Sequence, residues 1–530
     1  MSLPEMRKPE RGTRLCRLLL ALMVAGATTI AAAQERGHPQ PGAQPSEPHA
    51  GEPRGGQRGS GERGGEPRES VLRLLPPDSV TEHSVDTPDG KLAYTATAGT
   101  LSLLDQSGER SAAIFYTAYV AKSLGSENRP VTFAFNGGPG AASAFLNLGL
   151  VGPKSAEFPH ADPAAARLVD NPQTWLAFTD LVLIDPVGSG WSRPAKPDGG
   201  KAFWSVDGDA QAMAKSIMLY VTGNGRMSSP KYLLGESYGG FRAAKVAREL
   251  QTHQGTAVSG IIMLSPLIEG GLLFGGSRFA LGAALRLPSL GAAELERKGS
   301  FSTQALAEIE HFALTEYLTK LAAAPPQGEA ARDFYAQVAR ITGLPEDVVA
   351  RSRGFVRDAY RKHLRSAEGK VVSAYDASFA VPDPFPEQET ARGPDPLLDG
   401  LARAYGGLFS SYARDELGFK TQMTYTLLAS DIAGKWDWGR GGRAAAGVSD
   451  DLRELLSLIP SFRLLIAHGY SDMVTPYAMT RYVLDHLPPI GDPSRARLVL
   501  HRGGHMFYID PQSRKSFSAE ARAFYQSPTQ

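Results

Sequence analysis

Five residues constrain this chain more than any others. Gly235-Glu236-Ser237-Tyr238-Gly239 follows an apolar run, Tyr232-Leu233-Leu234, and precedes a helix-compatible stretch over 241–250. The apolar run reads as a buried strand. A strand joined to a helix through G-x-S-x-G must turn sharply, and the serine at the apex takes a strained backbone. Only small residues fit beside it, and Gly235 and Gly239 supply them. Ser237 is thereby pushed out where a substrate and a base can reach it.

The rest of the chain supplies a sheet for such a turn. Thr87-Pro88-Asp89-Gly90 is a turn signal, and 91–104, 113–120, 131–135, 180–184, 231–235 and 260–264 read as strands. Helical stretches such as 207–221 lie between the later ones. This alternation predicts a mostly parallel central sheet flanked by helices, with an antiparallel edge built by the early strands. With the serine turn it predicts an α/β-hydrolase fold over 71–269 and 426–527. Between them, over 270–425, the pattern becomes helical and charged on one side. The stretches 292–320, 330–341 and 346–366 are helix-like, and Pro325-Pro326 and 382–396 interrupt them. This region is expected to be a helical cap insertion. The sheet resumes at 462–467 and 497–501.

The N-terminus reads differently. Arg7, Lys8, Arg11, Arg14 and Arg17 precede an apolar segment over 18–30, and Ala31-Ala32-Ala33 offers a cleavage site. Residues 1–33 are therefore expected to be a signal peptide, which implies export to the periplasm or beyond. Residues 34–70 are rich in Pro, Gly and Arg with almost nothing to bury, and are expected to be a disordered linker. The single cysteine, Cys16, lies in the leader. A cysteine nucleophile and thiolate metal sites are excluded from the rest of the chain. The formal net charge of +1 gives no electrostatic case for nucleic acid or an anionic membrane as partner.

Ser237 needs a base and an acid, which in this fold follow in the order Ser, Asp, His on loops after late strands. Arg463-Leu464-Leu465-Ile466-Ala467 is such a strand, and Asp472 lies in the loop beyond it. Leu498-Val499-Leu500 is the last strand, and His505 follows Gly503-Gly504. His468 and His501 are the rivals for the base. His505 would take the Ser237 proton and return it to the leaving group, while Asp472 holds the imidazole tautomer. A developing oxyanion needs two N–H donors. One is Tyr238, directly after the serine. The other is expected from the loop Asn136-Gly137-Gly138-Pro139-Gly140. The turn-rich segment from Asp185 to Ser192 is expected to shape the pocket, with Trp191 either a packing residue or a substrate contact.

Together these motifs resemble the serine carboxypeptidases. The resemblance covers most of 90–270 and 460–515, and rests above all on Asn-Gly-Gly-Pro-Gly joined to Gly-Glu-Ser-Tyr-Gly. It implies that Asn136, Gly137 and Glu236 hold the C-terminal carboxylate of a peptide, and that Gly138 joins Tyr238 in the oxyanion hole. It implies no metal and no cofactor. The chain departs from the family at several positions. Ala134 stands where the family has tryptophan, and Ala141 where it has cysteine. Leu150 stands where a second glutamate usually pairs with the one before the serine. Met506-Phe507-Tyr508 follows the histidine in place of Val-Pro. Glu236 is thus not expected to act as half of a carboxyl pair.

The expected activity is release of C-terminal residues from peptides through an acyl-enzyme. An esterase, amidase or acyltransferase with the same triad is the alternative, and a non-catalytic binding protein on this fold the third reading.

Overall fold

The computed structural model describes residues 70–122 and 128–526. The expected leader, with Cys16, and the expected linker up to residue 69 lie outside the described residues.

The chain enters through three long antiparallel strands, β1 (Ser79–Thr87), β2 (Gly90–Leu104) and β3 (Arg110–Ala121). Five-residue strands β4 (Val131–Phe135) and β5 (Asp180–Ile184) follow, then β6 (Lys231–Glu236), β7 (Gly260–Leu264), β8 (Arg463–Gly469) and β9 (Ala496–His501). They form one sheet in the order β1-β2-β3-β5-β4-β6-β7-β8-β9, with a short strand at Arg193–Pro194 added to β3. All pairings from β5 to β9 are parallel, and those on the other side are antiparallel. The fold is that of an α/β hydrolase.

Over β4 to β8 both faces of the sheet are covered, which explains why these parallel strands are largely apolar, whereas edge strand β9 is only partly buried. On β6 and β7, Leu233, Ile261 and Met263 face one core with helices α1 (Val206–Gly223) and α2 (Tyr238–His253). Tyr232, Leu234, Ile262 and Leu264 face the other core, with Phe517 and Phe524 of the C-terminal helix Pro511–Gln526. Successive residues point to opposite faces, as the pleat requires.

The chain order places the site. After β4 the chain moves outward to β5, then crosses back to lay β6 on the opposite side of β4. The loops leaving β4 and β6 therefore diverge at a topological switch point, where open parallel sheets bind ligands. Asn136–Gly140 leaves β4 and Ser237 leaves β6.

The segment 270–425 carries a core of its own, built from Leu287, Leu290, Phe312, Tyr317, Phe334, Val338, Tyr360 and Val372, with Met473 from the loop after β8. A single helix-like stretch over 292–320 was the expectation; the structure divides it. One helix, α3, runs over Ala280–Arg297 and the next begins at Thr303. Gly299 takes φ +67° and Ser302 caps the new helix through Ala305 N–H, so the break is built from turn chemistry. The segment also holds a small antiparallel pair, Lys370–Val372 with Ala380–Pro382. Its last part belongs elsewhere: Tyr405, Phe409, Tyr412 and Phe419 pack into the sheet core beside Phe115 and Trp191. No helix among the described residues is long and apolar enough to cross a membrane.

Candidate active site

Ser237 sits between β6 and α2 at φ 60°, ψ −125°. A side chain in that region is strained, and the surrounding packing holds it. A Cβ on Gly235 would meet the Gly239 carbonyl oxygen at 1.9 Å, and one on Gly239 would meet the Phe135 carbonyl oxygen at 2.4 Å. The glycines are thus required by backbone crowding at the turn. Tyr238 is the first residue of α2, where a backbone N–H has no acceptor within the helix. Gly138 takes φ +99° and lines, with Pro139, Ser237 and Tyr238, a cleft of about 570 Å³.

Asp472 and His505 are brought together from separate loops. His505 Nδ1 lies 3.0 Å from Asp472 Oδ2. A carboxylate only accepts, so Nδ1 carries the proton and Nε2 is left as the basic nitrogen. Asp472 also accepts from Val474 N–H at 2.8 Å, Thr475 N–H at 3.0 Å and the Thr475 hydroxyl at 2.9 Å. Burial pushes the Asp472 carboxyl up, but His505 and His468 outweigh it and hold it well below the usual range. Burial pulls the His505 imidazole down, yet the Asp472 charge leaves it above 6.5. Such a pair stabilises an imidazolium formed during a reaction.

The rival histidines have other surroundings. His468 is fully buried, bonded to the Thr480 hydroxyl at 2.8 Å, and burial lowers its pKa. His501 stacks on Phe507 with ring centres 5.0 Å apart, and burial lowers its pKa to about 4. Trp191 lies among Phe115, Phe419 and Tyr425 and donates to the Met423 carbonyl at 2.9 Å, which makes it a packing residue.

Asn136 and Glu236 also meet. Asn136 Nδ2 donates to Glu236 Oε2 at 2.7 Å, and its Oδ1 accepts from Leu146 N–H. Both side chains are buried and neither lines the cleft; a Cβ on Gly137 would meet Tyr238 N at 2.5 Å, so that glycine lies flat against the turn. The second donor to Glu236 Oε2 is the Tyr508 hydroxyl, at 2.7 Å. Leu150 is buried in the same apolar cluster as Tyr508. A phenol thus supports Glu236 where the resemblance would place a carboxyl. Burial raises the pKa of Glu236, against the pull of His505 and its two donors.

Two contributors escape a reading of the sequence. Arg242 of α2 is buried, pairs with Asp209 of α1 at 2.6 Å, lies over the Tyr238 ring and donates to the Asn136 carbonyl. It ties the serine turn to the Asn-Gly-Gly loop. Its position four residues after Tyr238 was visible, but its partner on another helix was not. Tyr375 and Asp376 reach in from the insertion. The Tyr375 carbonyl accepts from His505 N–H at 2.5 Å, and its ring meets the imidazole edge-on. Asp376 accepts from Ser471 Oγ at 3.0 Å and Gly504 N–H at 3.1 Å, so one carboxyl holds the acid loop and the histidine loop together. Gly504 owes its place to this approach: a Cβ there would lie 2.0 Å from the Tyr375 carbonyl oxygen.

Residues 91–270, which span β2 to β7 and hold both the Asn-Gly-Gly loop and the serine turn, match the profile described as serine carboxypeptidase. These residues belong to the serine carboxypeptidase family. The chain is an enzyme of that hydrolase type. Among solved structures it resembles Kex1(Δ)p, a prohormone-processing carboxypeptidase from Saccharomyces cerevisiae, at 15% identity and a TM-score of 0.53, over 86% of this chain and 94% of that one. This likeness is one of fold. A proline iminopeptidase from Mycobacterium smegmatis is similar at 16% identity and a TM-score of 0.34, over 81% of this chain and 97% of that one, too slight to bear on function. No curated protein sequence matches the chain.

Proposed function

We propose that this serine carboxypeptidase-family enzyme releases C-terminal residues from peptides through an acyl-enzyme on Ser237. The observation that carries the reading is the Asp472–His505 pair at 3.0 Å, with Ser237, Gly138 and Tyr238 on one cleft at the switch point of the sheet. His505 Nε2 removes the serine proton as Oγ attacks the scissile carbonyl carbon. The N–H groups of Gly138 and Tyr238 receive the oxyanion. His505 then protonates the leaving amine, and water repeats the sequence on the ester. Asn136, Gly137 and Glu236 receive the terminal carboxylate, with Glu236 protonated so that two negative charges do not meet. The N-terminal segment directs export, and the substrate is met outside the cytoplasm.

One observation favours a second reading. The Asn136 amide is engaged by Glu236, and neither side chain lines the cleft. An esterase or acyltransferase needs no terminal-carboxylate site. The test uses one N-blocked dipeptide as free acid and as amide, with Ser237→Ala as blank. Release from the free acid alone supports the carboxypeptidase. Equal cleavage of both, or turnover of simple esters alone, replaces it with the second reading.

A further inference from the structure

The chain is nearly neutral overall, with a formal net charge of +1, but its catalytic cleft is not. Arg286, Arg357, Arg361 and Arg443 all line it together with Ser237, and Asp358 is the only carboxylate residue among the lining residues. Two of the four have acidic neighbours: Arg357 lies 3.6 Å from Asp358, and Arg361 lies 3.4 Å from Asp395. Among the described residues no carboxylate lies within ion-pair distance of Arg286 or Arg443. The Arg443 guanidinium rests on the Phe274 ring at 4.5 Å.

Arg286 is the informative member. It projects from α3, is 7% exposed, and donates from Nη1 to the Met473 carbonyl at 2.5 Å, directly beside Asp472. Burying a guanidinium with no carboxylate in contact is costly, and a second cation nearby adds to the cost. Both effects are present: burial first, and then the Arg357 charge, bring the Arg286 pKa down to about 10 against the weaker opposing pull of Asp472 and Asp358. A carboxylate entering the cleft would relieve that repulsion, and a guanidinium fork is shaped to bind one.

We propose that these arginines form an anion subsite that receives an acidic side chain of the substrate, so that the enzyme prefers peptides with Glu or Asp beside the scissile bond. The inference rests on Ser237 as the nucleophile of this cleft.

The test compares kcat/KM for N-blocked Glu-Ala against Gln-Ala, and Ala-Glu against Ala-Gln. A charge-assisted bond predicts a preference of about tenfold or more for glutamate in at least one pair, reduced by salt. In Arg286→Gln the Glu-to-Gln ratio falls toward one. Arg357→Gln and Arg443→Gln, at exposed positions, lower the same ratio and serve if the buried variant does not fold. A ratio of one or below in both pairs overturns the proposal. So does a variant that slows both members of a pair equally, which marks a structural role. A variant that changes only the discrimination between free acid and amide also overturns it, because the carboxylate held is then the terminal one. If no dipeptide is cleaved, the peptidase reading fails on its own. The ratio is then read from p-nitrophenyl hemiglutarate against p-nitrophenyl valerate, where the same preference and the same loss in the variants are required.

Discussion

One carboxyl group is buried between an amide and a phenol, and the proposed function has it meet the substrate terminus. Glu236 is faced by Asn136 and Tyr508, with His505 and Asp472 close enough to act on it through their charges. Its raised pKa keeps it neutral at pH values where an exposed glutamate is ionised. Under the proposed function, once pH passes that pKa an anion faces the peptide carboxylate, and KM is expected to rise. Because the supporting group is a phenol, the rise follows one proton and not two. Glu236→Gln is expected to flatten it. The fall of kcat on the acid side remains, because His505 must be neutral to act as base and its pKa is raised. KM measured over pH for both forms checks this. A two-proton rise, or a rise that persists in Glu236→Gln, contradicts it. The sequence showed Leu150 and the missing glutamate. It could not show Tyr508 as the replacement, since the two positions meet only in the folded chain.

Among the elements, the serine turn and the loops carrying Asp472 and His505 were legible as turns because each is local: a strand, glycine, then the polar residue. The insertion was legible only as helical. Its hold on the loops of Asp472 and His505 comes from Tyr375-Asp376, in the bend between Lys370–Val372 and Ala380–Pro382, with no periodicity to announce it. Asp376 accepts from Ser471 and Gly504, and also from the Ser378 hydroxyl at 2.6 Å and the Ser378 N–H at 2.9 Å. An asparagine there turns one acceptor into a donor facing these groups. Asp376→Asn is expected to lower kcat by about 10- to 100-fold with little change in KM, since it misplaces the base without touching substrate. Steady-state kinetics beside a melting curve checks it. Unchanged kcat, or a rise in KM alone, contradicts it.

Across the whole molecule the parallel half of the sheet was read correctly because most of its strands, β4 to β8, are buried on both faces and therefore largely apolar. The place of 404–419 was not, because aromatic residues at helical spacing fit an insertion core as well as a sheet face. Stability carries a signature of that burial. His501, packed between Phe507 and Phe517, has its pKa lowered from 6.5 to about 4. The fold favours its neutral form. This contribution is complete above pH 6.5 and is lost as pH falls toward 4, to about 3 kcal/mol at most. His501→Leu is expected to lose less stability than the parent between pH 6.5 and 4 in denaturant titrations. An equal loss in both proteins contradicts the assignment.

The catalytic claim itself meets its most direct test in covalent trapping. The protein is treated with a fluorophosphonate and the adduct is located by peptide mass mapping, in the parent chain and in His505→Ala. The structure predicts one adduct, on Ser237, formed far more slowly when the imidazole is removed. An adduct on another residue, or labelling of Ser237 that is indifferent to His505, would contradict the triad.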